Sequence, residues 1–297
     1  MVTLRDLQYL VALDTHRHFG RAAEACFVSQ PTLSGQFRKL EERLGLTLVE
    51  RNRHQVVMTP AGEQLALRAR SLIAGASEFE QHASALLDPL TGDIHLGLVP
   101  TVAPYLLSRV MNAITGALPE LNFFLHEHQT AELIKKLDSG TLDLLILPWK
   151  AEMECFGHIK LFAEPLQLAA PEGHSILKTK RLSLDSLKGE RVLTLEDGHC
   201  LRDDTLGVCF SAGAQEDHRF QATSLETLRF MVANGLGITL MPELAINNDT
   251  DLGIVYRRVL APEPQRQIAA VFRKGYPRLE CVNAIARTVQ SAIELGD

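Results

Sequence analysis

The residues most capable of covalent chemistry are two cysteines, Cys200 and Cys209, set nine positions apart in Leu195-Glu-Asp-Gly-His-Cys-Leu-Arg-Asp and Gly207-Val-Cys-Phe. Asp197 is a candidate cap for a helix beginning at Gly198, which would put Cys200 in the first turn. There the helix dipole favours a thiolate. His199 and Arg202 stand close in sequence and could add positive charge. An ordinary thiol, with a pKa of about 8.5, is only a few per cent ionised at neutral pH, so such help matters for reactivity. If the stretch is helical, the two sulfurs are separated by ~13 Å along the axis, whereas a disulfide needs Cα atoms within ~7 Å. A bond between them would therefore require the helix to open, and closing so short a loop contributes roughly 2.7 kcal/mol. That describes a switch better than a staple. Two other readings stay open on the residues alone. One is that the thiols are incidental core or surface residues; the other is a zinc pair with His199 or His218, although no second ligand pair at a usual spacing accompanies them.

The elements around this segment alternate. Strands are expected at Ile94–Val99, Leu121–Leu125, Leu142–Leu147, Leu166–Ala169, Val192–Leu195, Ile238–Met241 and Ile268–Phe272, with helices near 105–116, 131–139 and 225–234. Such alternation argues for an α/β body with mainly parallel sheets and a ligand cleft at the strand ends.

The first sixty residues read differently. Leu4, Leu7, Leu10 and Val11 give a helical rhythm, a short helix fits Gly20–Ala25, and Ser29-Gln30-Pro31 opens a third with an N-cap and a first-turn proline. Leu33, Phe37, Leu40 and Leu44 carry its buried face, and Gly45 stops it. Its other face holds Gln30, Thr32, Ser34, Gln36, Arg38 and Lys39. Short amide and hydroxyl groups near a helix start suit base edges, and cations further along suit phosphates. Arg51, Arg53 and His54 would form a basic wing over the DNA backbone. Residues 1–60 hold 8 Lys/Arg against 6 Asp/Glu, while the whole chain carries a net charge of -6, so contact with nucleic acid is expected at one end only.

After Thr59-Pro60, the residues Leu65, Ala69, Leu72, Ala76, Phe79, Ala83 and Leu86 alternate spacings of four and three. This is a seam of about three heptads, suited to pairing two chains on a two-fold operator. Asp88-Pro89-Leu90-Thr91-Gly92 reads as a hinge. The chain has 297 residues and is 46% apolar, enough for two or three domains. Its start carries charges rather than an apolar leader, and no apolar run approaches the ~20 residues of a membrane span. A cytoplasmic protein without membrane contact is expected. Cys26, Cys155 and Cys281 read as buried small hydrophobes.

Phe19-Gly-Arg-Ala-Ala-Glu, Val28-Ser-Gln-Pro-Thr-Leu-Ser, Leu40-Glu-Glu-Arg-Leu-Gly, Leu48-Val-Glu-Arg and Thr59-Pro-Ala-Gly together resemble the winged helix-turn-helix of LysR-type regulators. Pro100-Thr-Val-Ala-Pro-Tyr-Leu-Leu, His126-Glu-x-Gln-Thr and Ala222-Thr-Ser-Leu-Glu-Thr-Leu-Arg, with the cysteine segment, are similar to the peroxide-sensing members of that family. The resemblance implies a winged helix-turn-helix over 1–62, a linker dimerisation helix and hinge over 63–90, and a two-lobed, periplasmic-binding-protein-like α/β regulatory domain over 91–297. Lobe I would be 91–163 with 268–297, and lobe II 164–267. Gln30, Pro31, Thr32, Ser34, Arg38, Lys39, Arg51 and Arg53 would contact DNA.

The resemblance further implies that Cys200 is the peroxidatic thiol and Cys209 the resolving one. Thr101, Thr130, His199, Arg202 and Arg266 would surround hydrogen peroxide. No metal or cofactor is implied. The implied partners are promoter DNA, hydrogen peroxide, RNA polymerase, a cellular thiol reductant and further copies of the chain, in a homotetramer built as a dimer of dimers that activates antioxidant genes. Arg219 stands where the family pattern has a histidine, with His218 one position earlier, and Asp203-Asp204 makes the loop unusually acidic. Two competing functions are a LysR-type regulator answering a small metabolite in the inter-lobe cleft, and a thiol peroxidase, which would need no DNA-binding head.

Overall fold

The computed structural model describes residues 1–51, 56–246 and 253–295 and divides the chain into two units, 1–86 with 138–141, and 87–137 with 142–297. The first unit opens with α1 (Leu4–His16), α2 (Phe19–Ala25) and α3 (Gln30–Leu44). Thr3 and Asp6 form a reciprocal capping box at α1, and the Asp6 carboxylate also pairs with Arg43 of α3 at 2.9 Å. Ser29 caps α3 by accepting from the Thr32 N–H, and Gly45 ends it at φ 66. Leu33, Phe37 and Leu40 are fully buried against Tyr9, Leu10, Leu13, Ala22 and Ala23, whereas Leu44 sits at the rim. Ala22 and Ala23 are small and buried, which lets α2 approach its neighbours closely.

The strands β1 (Val49–Arg51) and β2 (Val56–Met58) make an antiparallel wing. Arg53 and His54 lie outside the described residues, and so does the side chain of Arg51. The helix α4 (Pro60–Leu87) starts where Thr59 Oγ1 accepts from the Gly62 N–H at 3.0 Å. Gly62 is required there, since a Cβ would stand 2.1 Å from the Leu48 carbonyl oxygen. The proposed seam on α4 is divided. Leu65 and Ala69 pack into the head's own core, because the first turns of α4 close the base of the helix-turn-helix. Leu72 and Phe79, further along, are exposed in the single chain.

The second unit contains β3 (Gly92–Leu98), α5 (Ala103–Ala117), β4 (Leu121–Glu127), α6 (Thr130–Asp138), β5 (Leu144–Pro148), β6 (Gly157–Pro171), β7 (Arg191–Leu195), α7 (Cys200–Ser211), β8 (Gln215–Ala222), α8 (Leu225–Ala233), β9 (Thr239–Pro242), β10 (Ile254–Arg257), β11 (Gln265–Phe272) and α9 (Leu279–Glu294). The large sheet runs β10-β6-β11-β5-β3-β4, with β9 also on β6. Only β3 pairs in parallel there, with β4 and β5; β6 is antiparallel to β9, β10 and β11. The expectation of mainly parallel sheets is thus corrected. The 15-residue β6 runs through both lobes, and β11 comes back beside it, so the two must be antiparallel. The strands β7 and β8 form a separate parallel pair.

Two apolar cores follow from this path. One gathers β3, β4, β5, α5 and α9, ends at Leu161 and resumes at Ile268, with Cys200 and Leu244 added from the middle of the chain. The other spans Leu166 to Val259 and includes Leu201 and Cys209. Among the described residues no helix is long and apolar enough to cross a membrane.

Candidate functional site

The thiol segment leaves β7 at Leu195 and turns sharply before α7. Gly198 has φ +93, and a Cβ on it would lie 2.5 Å from Gln129 Oε1 of the loop before α6. The left-handed φ calls for glycine, and any side chain there would also have to displace the Gln129 amide. Because Gly198 is left-handed, the helix starts two residues later than its sequence suggests, with His199 at the N-cap position and Cys200 as the first helical residue. Asp197 does not cap it. That carboxylate is exposed and pairs with Arg202 at 3.0 Å.

Cys200 is buried and belongs to the first core, although its helix belongs mostly to the second. Burial pushes its thiol above the ordinary range, and the Asp204 carboxylate adds to this; the Arg266 charge, the Thr130 hydroxyl and Lys150 act the other way. Desolvation thus opposes the thiolate that the helix start, His199 and Arg202 were expected to favour, and Arg266, Thr130 and Lys150 offset it in part. The Thr130 hydroxyl is buried, has no conventional hydrogen-bond partner and favours the charged sulfur.

Beneath it, Arg266 is almost fully buried. Its Nε donates to Glu164 Oε2 at 2.7 Å, Nη1 to Thr101 Oγ1 at 3.0 Å, and Nη2 to the Thr101 carbonyl at 2.9 Å. Glu164 uses its other oxygen to accept from the Leu244 N–H at 3.1 Å. Thr101, Thr130, Arg266 and Cys200 are thus assembled as one polar centre inside an apolar wall. Lys150, just after β5, reaches the first turns of α7, at 3.3 Å from Asp203 Oδ2 and 3.6 Å from Asp204 Oδ1. Burial raises the Asp204 carboxyl above its usual range against the pull of Lys150 and Arg266.

Two of the sequence candidates point elsewhere. Arg202 donates to both oxygens of the buried Glu216, at 2.9 and 3.2 Å, so its charge is spent there and on Asp197. His199 is buried, and its Nε2 lies 3.9 Å from Glu196 Oε1. His218 is exposed beside Glu216. Sequence reasoning missed Lys150 and Glu164. Neither sits in a motif, and their partners lie 53 and 102 positions away.

Cys209 lies on the same helix in the second core, where burial alone pushes its thiol up to about 12. Nine residues of helix separate the sulfurs by ~13 Å of axial rise. All five cysteines are free; Cys281 is buried, Cys26 half-buried, and Cys155 is exposed rather than buried as expected. Among the described residues no three His, Cys, Asp or Glu converge as metal ligands.

On the head, Gln30, Pro31, Thr32, Arg38 and Lys39 are exposed along α3, and Ser34 is half-buried. The polar groups come first and the cations follow, which is the order needed for a helix entering a groove by its N-terminal end.

Residues 4–63 match the family model of the bacterial regulatory helix-turn-helix proteins of the LysR family, and residues 88–294 match the LysR substrate binding domain. A hydrogen peroxide-inducible genes activator of Dickeya chrysanthemi is 47% identical over 295 residues, covering 99% of this chain and 97% of its own. The DNA-binding transcriptional dual regulator OxyR of Escherichia coli K12 is 46% identical over 294 residues, covering 99% and 96%. Among solved structures, a full-length OxyR variant from Pseudomonas aeruginosa superposes with a TM-score of 0.78 at 32% identity, covering 98% of this chain and 95% of that one. A two-unit chain with this head, this two-cored body and these relatives along its whole length belongs to the LysR family of bacterial regulators, in the branch of the hydrogen peroxide-inducible genes activators.

Proposed function

We propose that this chain is a hydrogen-peroxide-sensing transcription regulator in which Cys200 is the sensor thiol and Cys209 its resolving partner. The Cys200 thiolate attacks one peroxide oxygen; the O–O bond breaks, sulfenic acid forms and hydroxide leaves. Thr101, Thr130 and Arg266 supply the hydroxyls and the cation that hold two oxygens in line with the sulfur and stabilise the departing charge. The Cys209 thiol then displaces water from the sulfenic acid to give the disulfide. A cellular thiol reductant returns both sulfurs to thiols, giving up two electrons and two protons and becoming a disulfide itself.

One observation carries this reading: the two thiols share one helix but are buried in different cores. Their bond cannot form while α7 is intact, so oxidation of one sulfur becomes a change of fold. In the DNA-bound protein, Gln30, Pro31, Thr32 and Ser34 meet base edges, and Arg38, Lys39, Arg51 and Arg53 meet phosphates. The exposed Leu72 and Phe79 of α4 suit pairing with a second chain, and two such dimers on adjacent half-sites form the tetramer whose rearrangement is read by RNA polymerase. Mass spectrometry after brief peroxide exposure of the full-length protein tests the chemistry. The expected first product is the Cys200–Cys209 disulfide. Oxidation of the exposed Cys155 ahead of an intact Cys200 overturns it.

A further inference from the structure

Lys150 and Asp204 pair with each other at 3.6 Å, and both act on the sensor sulfur with opposite sign. Lys150 follows β5 in the lobe that buries Cys200, and Asp203 and Asp204 lie on α7, which packs mainly in the other lobe. The ammonium is 3.3 Å from Asp203 Oδ2 and 3.6 Å from Asp204 Oδ1. Asp204 is four residues beyond Cys200, one turn along the same helix face. Its side chain is only 22% exposed and Lys150's 25%, so this pair is less screened than a surface ion pair, whereas Asp203, at 66%, contributes little. One Asp204 oxygen, Oδ2, is buried with no hydrogen-bond partner.

We infer that Lys150 and Asp204 form a latch that sets the peroxide sensitivity of this chain: it ties the start of α7 across the lobes in the reduced form and balances the charge at Cys200. The inference rests on the reading that Cys200 and Cys209 pair. The two residues act through the thiol and the helix, and are positioning residues. They have the same sign of effect on the fold and opposite signs on the sulfur. Each holds α7 closed, so losing either favours the open, disulfide form. Lys150 favours the thiolate that attacks peroxide, and Asp204 opposes it.

The test measures two quantities on full-length Lys150→Met, Asp204→Asn and Lys150→Arg proteins. The first is the pH profile of the rate at which peroxide oxidises Cys200. The second is the midpoint potential of the dithiol–disulfide couple in dithiothreitol buffers. Lys150→Met is expected to react several-fold more slowly at neutral pH, with its rate profile displaced to higher pH. Asp204→Asn is expected to react faster, with its profile displaced to lower pH. Both should favour the disulfide by about fivefold, which at ~30 mV per tenfold is about 20 mV more negative. Lys150→Arg keeps the cation and should track the parent. General loosening of the structure would move the two rates together, so rates that shift in the same direction overturn the latch. So do variants indistinguishable from a parent that forms the disulfide. A parent that forms no Cys200–Cys209 disulfide overturns the pairing itself.

Discussion

The Glu164–Arg266 pair offers the sharpest quantitative expectation. Both side chains are within 2% of complete burial, the contact is 2.7 Å, and Glu164 also satisfies the Leu244 N–H. Removing one member of such a pair strands the other charge in the interior, at a cost of about 3–5 kcal/mol. Glu164→Gln keeps an acceptor oxygen and the side-chain volume, so the low end applies, about 3 kcal/mol. For a unit of roughly 200 residues that lowers Tm by about 6–12 °C, leaving the protein folded but with little margin. A second effect has a definite direction. With Glu164 neutral, the Arg266 charge is uncompensated, and it already favours the Cys200 thiolate. The thiol should therefore alkylate at lower pH than in the parent. Urea unfolding followed by intrinsic fluorescence gives the first quantity, and the pH profile of Cys200 alkylation in a background lacking the other thiols gives the second. A Glu164→Leu, Arg266→Met double variant should recover part of the stability lost in Glu164→Leu, since an apolar pair can replace a buried ion pair at little cost. A Glu164→Gln protein within 1 kcal/mol of the parent, with an unchanged alkylation profile, would refute the coupling between this pair and the sensor.

Other expectations follow from single features. Gly198→Ala meets both a left-handed backbone and Gln129 Oε1 at 2.5 Å, and should lose about 1–3 kcal/mol in chemical denaturation and slow the peroxide reaction. Cys209, raised to about 12 when folded, stays protonated where the unfolded chain ionises near 9, so it contributes stability that is full below pH ~9 and is lost as pH rises toward 12. The loss is up to about 4 kcal/mol, and Cys209→Ala should flatten that part of the stability–pH curve. Phe79→Glu on α4 places a charge where an exposed aromatic sits on the seam, and should convert a dimer to a monomer in sedimentation at micromolar concentration; an unchanged dimer would move the interface elsewhere.

What could be read from the sequence depended on how local the signal is. The head is legible because caps, a first-turn proline and a C-terminal glycine act within four residues, as at Ser29, Pro31 and Gly45. The start of α7 is not legible because Asp197 looks like a cap, whereas the backbone at Gly198 is left-handed and delays the helix to Cys200. The strand β8, Gln-Glu-Asp-His-Arg-Phe-Gln-Ala, is too polar to read as a strand and is defined by its backbone pairing with β7. The long β6 looked like a short strand at Leu166–Ala169, because Pro165 interrupts the pattern midway. At the site, the thiols and threonines are visible in motifs, but the charges that tune them come from Lys150 and Glu164, whose partners lie far along the chain. A positively charged Arg202 beside the thiol was a reasonable expectation that Glu216, on the polar strand β8, redirects.

The central claim is that oxidation at Cys200 is converted into a change of fold because the two thiols share α7. Peptide-resolved amide hydrogen exchange of the full-length protein, compared between the reduced form and the form carrying the Cys200–Cys209 disulfide, tests it most directly. The expected result is loss of protection across 200–211 on oxidation, with the helices of the head and α9 unchanged. A disulfide-bonded protein whose amides over 200–211 remain as protected as before would contradict it.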